Sequence, residues 1–217
     1  MSRKERREQF LASGAFLGSF AVNLINCARS EQERVFEDCR KDVTRKVHAS
    51  DHAAGTVILL CCAVDVFFNE TITRLCMHGP LTKEQGRQLV DLENASEKYG
   101  KILEVAFGTI LQPTEDFRLV GEVRNEFAHY TPRPISARTG QYPSWFEPLR
   151  SRGLVIFGEQ PGLDYTVDHI CSCRVGSWAW KTVYSCLEQF CSIDPEKLRK
   201  DWLRYFSPPT VNCGAEL

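Results

Sequence analysis

Val57-Ile58-Leu59-Leu60-Cys61-Cys62-Ala63-Val64-Asp65-Val66-Phe67-Phe68 is the stretch whose reading decides the fold. Asp65 is the one position in it that is not apolar. A helix on a protein surface shows an apolar stripe and a polar face, and a half-buried strand alternates; this run does neither. It reads as a helix covered on all sides, at the centre of a bundle. At 12 residues with a carboxylate inside, the run suits a buried core helix and falls short of a membrane span. The helix is expected to cover His52 to about Cys76, with Ser50-Asp51 as its cap and Gly79-Pro80 as its end.

Outward from this core, the periodicity is helical almost everywhere. Leu17, Phe20, Leu24 and Ala28 follow a three-and-four spacing, as do Val35, Cys39 and Val43. The region from about Lys4 to Val47 therefore reads as one long helix or two in series, with polar Ser30-Glu31-Gln32-Glu33 as the place for a bend. Downstream, Thr82-Lys83-Glu84-Gln85 starts a more polar helix toward Phe107-Gly108. After Gln112-Pro113-Thr114, a further stripe of Phe117, Val120, Val123 and Phe127 runs from Glu115.

Residues 131–170 differ, holding half of the ten prolines and several glycines. They read as an irregular insertion packed over the bundle, because Trp145, Phe146 and Phe157 call for burial. Gly153-Leu154-Val155-Ile156-Phe157 is a candidate short strand. Trp180, Val183, Tyr184, Leu187, Phe190 and Cys191 mark a closing helix from Arg174, and Asp194-Pro195-Glu196 opens a short last helix through Phe206. The expected architecture is an all-α helical bundle: one domain over residues 1–206, an irregular Pro/Gly-rich insertion before the closing helix, and a disordered tail over 207–217.

Composition narrows the function classes. Hydrophobic residues at 43% and charged residues at 25% of 217 are ordinary for a globular chain, and a net charge of −1 excludes a wholesale basic surface. Contact with nucleic acid must then come from a local patch. Of the ten cysteines, Cys27, Cys39, Cys61, Cys62, Cys76, Cys186 and Cys191 fall within helical patterns, where thiols act as small hydrophobes, and the N-terminus carries charges of both signs with no signal-peptide pattern. Reduced thiols in a cytoplasmic protein, away from membranes, is the expectation.

Arg124-Asn125-Glu126-Phe127-Ala128-His129, at the end of the helix that begins near Glu115, carries the chemistry. A guanidinium, a carboxamide and an imidazole within six residues can hold a phosphodiester and move a proton beside it without a metal. On an ideal helix Arg124 and His129 lie about 140° apart, so they converge only through the length of arginine and the helix end. Asn125 and His129 share a face. The plainer reading pairs Arg124 with a surface carboxylate and lets His129 cap a helix C-terminus. Asp65, alone among apolar neighbours, must be paired or neutral; it either hydrogen-bonds Arg124 or His129 or ties two helices together. Asn69 lies one turn further along the same face, whereas Glu70 does not and is expected to be solvated. His169-Ile170-Cys171-Ser172-Cys173 lacks the paired spacing of a structural zinc site, so no metal and no cofactor is expected.

Arg124 to His129 resembles the R-x4-6-H motif of HEPN domains, in which the residue after the arginine is often polar, as Asn125 is. The resemblance extends to Ser50–Ala54 through Asp65–Glu70, similar to the second helix of several HEPN-like families, and to Val175–Thr182, similar to their closing helix. The insertion after His129 is longer than in minimal members. The resemblance implies metal-independent cleavage of RNA, with a ribose 2′-hydroxyl attacking the adjacent phosphate. His129 would transfer the proton, Arg124 would stabilise the phosphoryl charge, and Asn125 would position the imidazole or a phosphate, with Asp65 and Asn69 in support. It further implies a homodimer that brings two motifs into one groove, and a toxin or defence setting with a cognate antitoxin or regulatory protein as partner. The alternatives are a non-catalytic module of the same fold that binds RNA, a nucleotide or a protein, and a purely structural dimerisation protein.

Overall fold

The structure is a computed structural model, and it describes residues 20–41, 51–129, 142–155, 170 and 172–209. Among these residues the regular structure is entirely helical: α1 (Phe20–Lys41), α2 (Asp51–His78), α3 (Lys83–Val90), α4 (Ala95–Phe107), α5 (Glu115–Ala128), α6 (Phe146–Ser151), α7 (Cys173–Ile193) and a closing 3-10 helix (Lys200–Phe206).

The all-round apolar helix takes the central place. α2 packs against α1, α3, α4, α5 and α7. Val57, Leu60, Ala63, Phe67, Phe68 and Ile72 are completely buried. At 28 residues α2 extends past its apolar centre, and by length and composition it is long and apolar enough to cross a membrane. In this fold one part of its apolar surface packs on other helices, while Ile58, Leu59, Cys61, Cys62 and Val66 stay half-buried, so the cover expected on all sides is incomplete. Phe67 and Phe68 interlock edge-to-face with Phe190 of α7, at 6.2 and 5.2 Å between ring centres, and Phe68 meets Tyr99 of α4. Truncating one such buried ring to alanine costs about 3–5 kcal/mol.

Two glycines set how closely helices approach. A Cβ on Gly86 would run into the Cys76 thiol, and one on Gly176 into the Gln32 side-chain carbonyl. α3 therefore sits tightly on α2, and α7 on α1.

Several expected elements change in outline. α1 runs unbroken through Ser30–Glu33, where a bend was expected. Its buried face, Ala21, Ile25, Ala28, Gln32 and Val35, keeps helical spacing across that polar stretch, so packing against α2 decides the path. The single helix expected from Thr82 to Phe107 is two. Thr82 caps α3 through a reciprocal pairing with Gln85, but Asp91–Asn94 interrupts the backbone pattern and Asn94 opens α4. Leu154 and Val155 lie in no strand. Within the insertion, Trp145, Phe146, Leu149 and Leu154 are buried, and a short helix, α6, lies among them. The last helix begins later than Asp194-Pro195-Glu196, after a turn that ends at Arg199 in the left-handed region (φ 52°).

Glu70 corrects the expectation of a solvated carboxylate. It is buried and accepts a hydrogen bond from Arg199 Nη1 at 2.6 Å, from a residue 129 positions away. Arg199 also lies over the ring of Trp202, 3.5 Å from its centre. Burial pushes the Glu70 carboxyl up to about 7, against the pull of the Arg199 charge. Phe157, the remainder of the candidate strand, the ends of the expected N-terminal helix and the tail from residue 210 lie outside the described residues.

Candidate functional site

α5 presents the motif. Thr114 caps its start by accepting from the Phe117 amide, and Glu115 and Asp116 in the first turn suit the positive end of the helix dipole. The stripe Phe117, Val120 and Val123 is buried against the bundle. That burial fixes the rotation of the helix, leaving Arg124 half-buried and Asn125 and His129 exposed. His129 is the C-terminal cap, with its amide donating to the Asn125 carbonyl at 2.9 Å.

Arg124 and Asn125 line a cleft of about 270 Å³ between α2, α5 and the start of α4. Cys61 and Asp65 contribute from α2; Arg118, Gly121 and Glu122 from α5; and Glu93, Asn94, Ala95 and Ser96 from the turn into α4. Arg124 Nη1 donates to the Asn125 side-chain oxygen at 2.8 Å, so the guanidinium is steered by its chain neighbour. Its charge is felt across the cleft: burial pushes the Cys61 thiol up to about 12, and Arg124 acts in the opposite direction.

Asp65 takes the second of its two expected roles. Its partner is Lys98 of α4, which donates to Asp65 Oδ1 at 3.2 Å. This ties α2 to α4 and neutralises the carboxylate at the edge of the cleft. Asn69 is not among the lining residues; its backbone carbonyl accepts from the Thr73 hydroxyl, and its side-chain oxygen is buried with no hydrogen-bond partner among the described residues. His129 is not among the lining residues either. The fold thus joins Arg124, Asn125 and Asp65 at one cleft and leaves His129 at the helix end beyond it, with Asn69 off the site.

Sequence reasoning missed Lys98, Arg118 and the turn Glu93–Ser96. Lys98 is buried at the cleft edge, a place no pattern of a mostly polar helix announces. Asn94 followed by Ala95 was a legible helix start, hidden by the assumption of one continuous helix. No cluster of three or more metal-binding side chains occurs among the described residues; His169, Cys171 and the Cys173 side chain lie outside them. The arrangement offers two guanidiniums and two carboxamides for an anionic group, set against the carboxylates Asp65, Glu93 and Glu122. No protein-family model, curated protein or solved structure matches this chain.

Proposed function

We propose that this chain is a metal-independent endoribonuclease of the HEPN type, with the scissile phosphate held at the Arg124–Asn125 cleft. The observation that carries the reading is the guanidinium of Arg124, half-buried at a concave site and steered by the Asn125 amide. A guanidinium offers its N–H donors in a planar fork that matches phosphate oxygens, and partial burial strengthens that pairing relative to open solvent.

In the proposed reaction the ribose 2′-oxygen forms a bond to phosphorus as the bond from phosphorus to the leaving 5′-oxygen breaks. The imidazole of His129 takes the 2′-hydroxyl proton or supplies one to the leaving oxygen. Arg124 stabilises the charge that builds on the non-bridging oxygens. His129 stands at an exposed helix end, so a two-fold dimer that sets one copy's His129 against the other's Arg124 completes the site in the form that the HEPN resemblance implies. The partners of this reading are RNA, a second copy of the chain, and a cognate antitoxin or regulatory protein, in the cytoplasm.

The test is cleavage of labelled single-stranded RNA in EDTA. His129→Ala is expected to lower the rate by about 10²-fold or more while the circular-dichroism melt stays nearly unchanged. Full activity in that variant removes the catalytic claim. A second reading, a non-catalytic module that binds RNA, a nucleotide or a protein, is favoured by the position of His129 outside the cleft-lining residues. Shifted but intact RNA with the unmodified protein supports it.

A further inference from the structure

The helix that carries the candidate site is tied along one side to the segment 142–155. Asp116, in its first turn, accepts from Arg152 Nε at 3.0 Å and from Trp178 of α7 at 3.4 Å. Glu122, in its middle, accepts from the Ser144 hydroxyl at 3.0 Å. Glu126, in its last turn, accepts from the indole N–H of Trp145 at 3.4 Å. Trp145 is itself 3% exposed and packs beside Phe146, whose ring stacks on Tyr142 at 4.4 Å. The indole is thus a rigid donor held by a buried aromatic group, aimed at a carboxylate within the motif.

The last turn of α5 needs such a support. Its final turn carries no basic side chain, and the cap is His129, not a glycine in the left-handed region. Helix ends fray in the absence of good caps or tertiary ties. Fraying here opens the bond from the His129 amide to the Asn125 carbonyl and loosens the placing of both side chains on the helix.

We infer that Glu126 and Trp145 are positioning residues: the indole-to-carboxylate bond clamps the last turn of α5 and so fixes Asn125 and His129 relative to Arg124. The inference rests on the reading of Arg124, Asn125 and His129 as the functional set. It gives residues 142–155 a role beyond covering apolar surface, since the segment that bonds to Glu122 through Ser144 also holds the motif in register.

The test uses the full chain and two readouts. Trp145→Phe keeps an aromatic ring and deletes the donor; Glu126→Ala deletes the acceptor; Glu126→Gln keeps an acceptor oxygen. Amide hydrogen exchange at Glu126–His129 is expected to rise about tenfold in Trp145→Phe and Glu126→Ala, with α2 protected as before, and to stay near the original rate in Glu126→Gln. Cleavage of labelled single-stranded RNA is expected to fall about tenfold in kcat with KM little changed in the first two variants, and to be retained in Glu126→Gln. Unchanged exchange at 126–129 in both donor and acceptor deletions overturns the clamp. An unmodified protein that cleaves no RNA overturns the nuclease reading instead, and the exchange result still decides the clamp.

Discussion

Asp65 and Glu70 stand little more than one turn apart on α2, and the fold treats them in opposite ways. The Glu70 side chain is 0% exposed and its partner Arg199 8%, with 2.6 Å between them. Asp65 keeps 36% of its side chain exposed above a buried Lys98 at 3.2 Å. The closing turn seals the first pair, while the second opens onto the cleft that Arg124 and Asn125 line. A carboxylate enclosed with a dedicated partner is a tie within the scaffold. One left half open, with its counter-charge beneath it, keeps contact with water and adds charge to the wall of the cleft. The identity of the residue does not separate the two cases; what covers it does.

The comparison breaks most visibly through stability. Glu70→Ala strands the buried Arg199 guanidinium and is expected to cost about 3–5 kcal/mol, whereas Asp65→Ala is expected to cost about 1 kcal/mol or less, both read from urea unfolding. Equal losses would erase the distinction. Acidity sharpens it next. The Glu70 carboxyl titrates at about 7 in the folded protein against 4.5 for an unperturbed side chain. A folded value raised in this way gives stability that is fully present below the unfolded value and lost as pH rises through the folded one. The melting midpoint is therefore expected to fall between pH 5 and pH 8, and Glu70→Gln to flatten that slope; an unaltered slope in the variant counts against the assignment.

The cleft side is probed by binding. Arg124→Ala is expected to lose about 1–3 kcal/mol of affinity for labelled RNA in gel-shift titration, with a stability change within about 0.5 kcal/mol. The smallest effect belongs to Lys98→Met. It keeps an apolar stem at the buried position and costs about 1 kcal/mol of stability. It also leaves the Asp65 charge uncompensated, so RNA affinity at low salt is expected to drop, by less than in Arg124→Ala.

Much of the bundle is legible in the residues. The run Val57–Phe68 announces its central position, and Thr82, Thr114 and Phe117–Val123 mark helices where they occur. What the sequence leaves open is contact between distant charges. Glu70 and Arg199 are 129 residues apart, and Asp65 and Lys98 33. No local pattern encodes which carboxylate the last turn will cover. The same holds for the site: Arg124 and Asn125 are adjacent and readable together, but the opposite wall, Glu93–Ser96, arrives only through packing of α4 on α2. The break at Asp91–Asn94 is hidden for a related reason, since apolar spacing carries on across it while the backbone does not.

The ends of the described chain meet through Arg29. Its Nη2 donates to the backbone carbonyls of Tyr205 and Ser207, 176 and 178 positions later, and Trp180 donates to the carbonyl of Phe206 between them. A nascent chain on the ribosome cannot make these bonds until almost the last of the described residues has left the exit tunnel. Until then the first described helix must hold its place without them, and the lock closes as one late event that joins the first described helix to the last.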